Sequence, residues 1–83
     1  MSTQTTLKTH HFTLTLTEVA GLSDELQGDL LKAGCDDASL WSEGPVVYLE
    51  FDRASGSLGD AIGSAVRDVE RAGLAVARVD VGG

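Results

Sequence analysis

A chain of 83 residues with 42% hydrophobic content builds one small globular domain and no second one. Thirteen carboxylates against six Lys and Arg give a net charge of −7, which repels a phosphate backbone and argues against direct binding of DNA or RNA. Cys35 is the only cysteine, so no internal disulfide forms, in keeping with a cytoplasmic location, and the short apolar runs exclude a membrane span.

In chain order, Met1 to Thr9 is polar and Thr-rich, without the apolar core of a signal sequence. With His10 and His11 it reads as a frayed tail, residues 1–11. A histidine pair with no accompanying acid or cysteine cluster does not make a metal motif. Phe12 to Thr17 alternates strictly, with Phe12, Leu14 and Leu16 on one face and Thr13, Thr15 and Thr17 on the other, the pattern of a half-buried strand.

Ser23 is a good helix N-cap, followed by Asp24 and Glu25 at the positive end of the helix dipole. Leu22, Leu26, Leu30 and Ala33 form the apolar stripe, widened by Leu31, and Gly34 closes the helix in the left-handed conformation. Asp36 and Asp37 read as solvated loop carboxylates leading to a short strand, Ala38 to Ser42. Glu43-Gly44-Pro45 then turns the chain into a third strand, Val46 to Phe51. Alternation places Leu40, Val47, Leu49 and Phe51 inward, and Trp41, Val46, Tyr48 and Glu50 outward.

Asp52 to Gly56 reads as a loop, Ser57 as the next N-cap, and Leu58 to Ala72 as a helix whose apolar residues recur near 3.6 positions. Gly73 and Leu74 end it in a Schellman turn. Leu74 to Val81 is the last strand, and Gly82-Gly83 a flexible end. Gly28, Gly59 and Gly63 are small positions on the helices that permit close approach, with the neighbouring helix as the expected occupant.

Strand, helix, strand, strand, helix, strand over residues 12–81 is most simply an α+β ferredoxin-like sandwich: a four-stranded antiparallel sheet with two helices on one face. The first and third strands then lie in the middle and the second and fourth at the edges. No catalytic constellation rides on this frame. Cys35 sits behind a helix C-terminus, the wrong place for a reactive thiolate. Gly56 and Gly59 at a helix start suggest an anion loop, but no Lys follows and Asp60 is adjacent. The chain contains no Asn for an acylphosphatase-like site and no CxxC for a metallochaperone. The expectation is therefore a protein without catalytic, cofactor or metal residues.

What stands out is the uncovered sheet face. Thr13, Thr15, Thr17, Val46, Tyr48 and Trp41 lie there together, joined by Val76 or Ala77 from the last strand. That strand is an edge on which only Arg78 and Asp80 act as gatekeepers against pairing. Trp and Tyr over small and branched residues form a protein-interaction surface, and the set expected to carry contact is Trp41, Tyr48, Thr13, Thr15, Val46, Val76 and Arg78. Phe12, Trp41, Tyr48 and Phe51 are the only aromatic residues, so the core is modest and a partner subunit would add to it. A homodimer or another protein is the expected partner; an acidic surface also leaves a basic protein patch open. The alternative is a small-ligand sensor resembling amino-acid-binding regulatory domains of this topology, with its site near the first turn or the Asp52–Gly59 loop.

The stretches Ala33-Gly-Cys-Asp-Asp-Ala-Ser-Leu40, Val46-Val-Tyr-Leu-Glu-Phe-Asp-Arg53 and Ala65-Val-Arg-Asp-Val-Glu-Arg-Ala-Gly-Leu74 resemble a family of small uncharacterised bacterial proteins. In longer members of that family such a domain precedes a helix-turn-helix, in antitoxin-like or regulatory proteins. The matched motifs are caps, hairpin and core, and no helix-turn-helix follows them here. The resemblance therefore implies a dimerising or partner-binding role within a small regulatory complex, and not DNA binding.

Overall fold

The structure, a computed structural model, describes residues 7–16 and 23–81. Its elements are β1 (Lys8–Leu16), α1 (Asp24–Ala33), β2 (Ala38–Glu43), β3 (Val46–Ser55), α2 (Leu58–Arg71) and β4 (Val76–Asp80). The strands form one antiparallel sheet in the order β2-β3-β1-β4, which is the expected α+β arrangement and consistent with a ferredoxin-like topology.

Alternation decides which side chains meet. Phe12, Leu14 and Leu16 from β1 and Val47, Leu49 and Phe51 from β3 are buried on one face, where Leu30 of α1 and Ala61, Ala65 and Val69 of α2 cover them. The Phe12 and Phe51 rings stack with centroids 5.3 Å apart, one directly across the ladder from the other. Small alanines on α2 let that helix settle close to the sheet.

Both helices begin and end as their sequences dictate. Ser23 Oγ accepts from the Leu26 amide and Ser57 Oγ from the Asp60 amide, each at 3.1 Å. At the C-termini, Cys35 N–H reaches Leu30 O at 2.9 Å and Leu74 N–H reaches Val69 O at 3.3 Å, with Gly34 and Gly73 at φ 114° and 83°. Both are Schellman turns, and each buries or half-buries the apolar residue that follows the glycine.

The strand β2 runs one residue beyond the expected Ser42, and β4 is confined to Val76–Asp80 in place of the expected Leu74 to Val81. Three further features differ from the sequence reading. The strand β1 begins at Lys8, so His10 and His11 belong to the sheet and not to a tail; residues 1–6 lie outside the described ones. The cause is the second difference: β3 does not loop at Asp52 but continues to Ser55, giving Lys8–His11 a complete ladder partner from Lys8↔Ser55 to His11↔Asp52. Third, β4 carries a register shift: Thr15 pairs with Arg78 but Leu16 with Val76, leaving Ala77 extra. The bulge turns Val76 to the helix side, where it packs against the core, so Val76 does not belong to the uncovered face.

The glycine expectation is also corrected. A Cβ built on Gly28, Gly59 or Gly63 meets nothing within 4 Å, so these positions do not admit the neighbouring helix. With helical backbone and open space, Gly28→Ala and Gly63→Ala are each expected to stabilise the fold by about 0.5–1 kcal/mol, read as a higher urea midpoint at unchanged slope.

Candidate functional site

Two groups of side chains organise the sheet, one on each face. On the uncovered face, Trp41 of β2 stands directly opposite Tyr48 of β3, and their rings stack with centroids 5.2 Å apart and planes 20° apart. The row continues across the sheet to Thr15 and then Arg78. Trp41 remains 38% exposed despite the stack, whereas Thr15, flanked by Tyr48 and Arg78, is only 8% exposed. The next row is Ser39, Glu50, Thr13 and Asp80, and beyond it His11 Nδ1 contacts the Asp52 carboxylate. Val46 lies opposite Glu43 at the hairpin end.

The structure thus brings Trp41, Tyr48, Thr13, Thr15, Val46 and Arg78 onto one face, as alternation implies, and removes Val76 from the set. Thr17 lies outside the described residues. Arg78 is tied to Asp80 at 3.0 Å, so its charge is already engaged along the edge strand.

Behind the sheet is an arrangement that composition and periodicity do not reveal. Arg53 continues the inward alternation of Phe51, and its side chain is only 12% exposed. Its Nε and Nη2 donate to the two oxygens of Asp37 at 2.7 and 2.8 Å, Nη1 to Asp68 and to Ser64 Oγ at 3.0 Å each, and Nη2 to Gly34 O at 2.9 Å. The guanidinium carbon also lies 5.0 Å from the Phe51 ring centroid. All five donors of the guanidinium are used. One side chain therefore joins β3, the end of α1, the approach to β2, and α2. Asp37 is consequently not the solvated carboxylate that its loop position suggests, although Asp36 is exposed. Asp68 comes so close to Gly34 that a Cβ there would lie 2.8 Å from its Oδ2, which adds a steric demand for glycine to the positive φ.

Electrostatics in this cluster follow from geometry. The hydrogen bonds from Arg53 hold the Asp37 carboxyl below its usual value, against the opposing effect of burial. Asp37, by the same bonds, raises the Arg53 guanidinium above its ordinary value. Burial first, and Asp68 second, push the Cys35 thiol up to about 11, so it stays protonated and unreactive at neutral pH. A depressed carboxyl pKa stabilises the folded state above the unfolded value and loses that effect as pH falls through the folded one. The stability difference between the native chain and Asp37→Asn is therefore expected to be full at pH 7 and to shrink below about pH 4, as measured by urea unfolding at a series of pH values.

Among the described residues no three His, Cys, Asp or Glu side chains group as a metal site requires. Of the loops named for a small ligand, the first turn falls largely outside the described residues, and the second shrinks to Gly56-Ser57 because β3 runs to Ser55. A shallow groove lies instead between the last turns of the helices, lined by Asp29, Lys32, Ala33, Arg71 and Ala72. No helix among the described residues is long and apolar enough to cross a membrane. No family model, curated protein or solved structure matches the chain.

Proposed function

We propose that this chain is a non-catalytic interaction module, part of a small regulatory complex, that meets its partner protein through the uncovered sheet face. The observation that carries the reading is the stack of an exposed Trp41 on a half-buried Tyr48, on the face that the helices leave open. Large rings at low conformational cost are the usual anchors of protein interfaces. Thr13, Thr15 and Val46 supply a small, branched floor beside them. The clamp around Arg53 supports the same reading, since its charged groups are spent on holding elements together and not directed at a ligand. The resemblance to domains that precede a helix-turn-helix supports a regulatory setting.

The test is association measured with and without the rings. Trp41→Ser with Tyr48→Ser is expected to weaken binding at least about 30-fold, whether to a second copy in sedimentation or to a partner cross-linked in the native host. Circular dichroism should show the fold retained, since an aromatic pair adds only about 0.5–1.5 kcal/mol beyond its buried area. A chain that stays monomeric at millimolar concentration, and whose cross-linked partners are the same with and without both rings, refutes the proposal.

A further inference from the structure

We infer that the uncovered face receives an arginine-rich segment of another polypeptide and not a second copy of this chain; the inference rests on the interaction reading above and names the partner's chemistry.

The charge on this face is one-sided around the aromatic pair. Glu43 follows Trp41 by two positions on β2 and Glu50 follows Tyr48 by two on β3, so each acidic residue has its Cα about 7 Å along the same face from that of an aromatic one. Asp80 stands in the same row as Glu50, across Thr13. Among the described residues neither Glu43 nor Glu50 makes an ion pair, while the cation on β4, Arg78, is held by Asp80 and His11 contacts Asp52. The rings and the unpaired carboxylates are therefore presented together.

That combination matches one kind of side chain better than others. A guanidinium stacks flat on an indole or phenol while its N–H groups fork onto a neighbouring carboxylate. A lysine meets the charge but stacks less well. The central strand β1 contributes only the short Thr13 and Thr15 between Tyr48 and Glu50 on one side and Arg78 and Asp80 on the other. An extended chain laid along β1 would reach both. A second copy presents the same carboxylates to these ones, with a net charge of −7 on each molecule, and like charges placed opposite each other oppose association.

Trp41 is the only tryptophan, so its emission reports on this face alone. The full chain is titrated at low ionic strength with synthetic 12-residue peptides: arginine alternating with glycine, lysine with glycine, and glutamate with glycine. The expected result is a Trp41 emission shift with the arginine peptide, several-fold weaker binding of the lysine peptide, and no shift with glutamate. Raising the salt to about 0.5 M should weaken the arginine peptide at least tenfold. Glu43→Gln with Glu50→Gln should weaken it about five- to tenfold, whereas the matched helix-side pair Asp29→Asn with Glu70→Gln leaves it within twofold. Equal losses in the two charge variants mean a diffuse acidic surface and overturn the inference. So does a chain that ignores the arginine peptide and sediments alone as a dimer. In that last case Trp41→Ser with Tyr48→Ser still separates the outcomes: a dimer it dissolves leaves the interaction module standing, and a dimer it leaves intact removes both.

Discussion

Replacing Arg53 with methionine is expected to lower the unfolding free energy by about 3–5 kcal/mol, the cost of removing one partner from a buried charge network. Asp37 loses its cation and Asp68 the nearer of its two, leaving only the exposed Arg71 at 3.6 Å, in a setting where the carboxylate side chains are only 30% and 15% exposed. The Gly34 carbonyl loses a donor at the same time. For a domain of this size, at about 4–8 °C per kcal/mol, a loss of 3 kcal/mol already lowers Tm by at least about 12 °C. Lysine at this position keeps the charge but cannot fork onto Asp37 while reaching Ser64 and Gly34, so Arg53→Lys should fall between the two. Adding Asp37→Asn and Asp68→Asn to Arg53→Met should recover part of the loss, because the uncompensated charges disappear. A single Arg53→Met variant that unfolds within about 1 kcal/mol of the native chain would show that the network is not buried in solution. Urea unfolding followed by circular dichroism makes both measurements.

Phe51→Ala carries the second large effect, also about 3–5 kcal/mol. Phe51 is fully buried, stacks on Phe12 across β1, and faces Ala38 across β2. Alanine at this position leaves a void that the small residues Ala61 and Ala65 above the sheet cannot fill without moving α2. Phe51 also supports the Arg53 guanidinium from one side. The two substitutions should therefore fail to add: the double variant is expected to lose less than the sum of the singles, and a double-mutant cycle measures the coupling directly. Simple additivity would mean that ring and guanidinium act independently.

The contrast between Phe51 and Arg53 shows how far this sequence can be read unaided. Phe51, Leu49 and Val47 announce their burial through period-two alternation with polar neighbours, and Leu30, Ala61, Ala65 and Val69 do so through helical spacing. Caps and Schellman glycines are equally local signals, and both helices obey them. Arg53 belongs to the same alternation, one step beyond Phe51, but a charged residue followed by Ala54-Ser55-Gly56 reads as a loop. Its carboxylate partners lie 16 and 15 positions away in opposite directions along the chain, and no periodic pattern ties them to it. Carrying the alternation through Asp52 would have turned Arg53 inward, and a buried guanidinium then demands carboxylates; Asp37 was the residue to suspect. Extension of β3 in turn recruits Lys8 to His11, which composition alone makes look like a tail. The bulge that turns Val76 inward has no local signature because Val76 and Ala77 are both apolar, so either alternation fits.

The Schellman turn that ends α1 seals the lone cysteine of this molecule beneath its first helix. Cys35 is fully buried and its thiol is held protonated. A maleimide added to the intact protein has nothing to attack until that turn opens. The labelling rate therefore serves as a built-in gauge of how often the first half of the domain breathes, without a probe being engineered in. It also means that air oxidation during storage is limited by unfolding and not by the reagent.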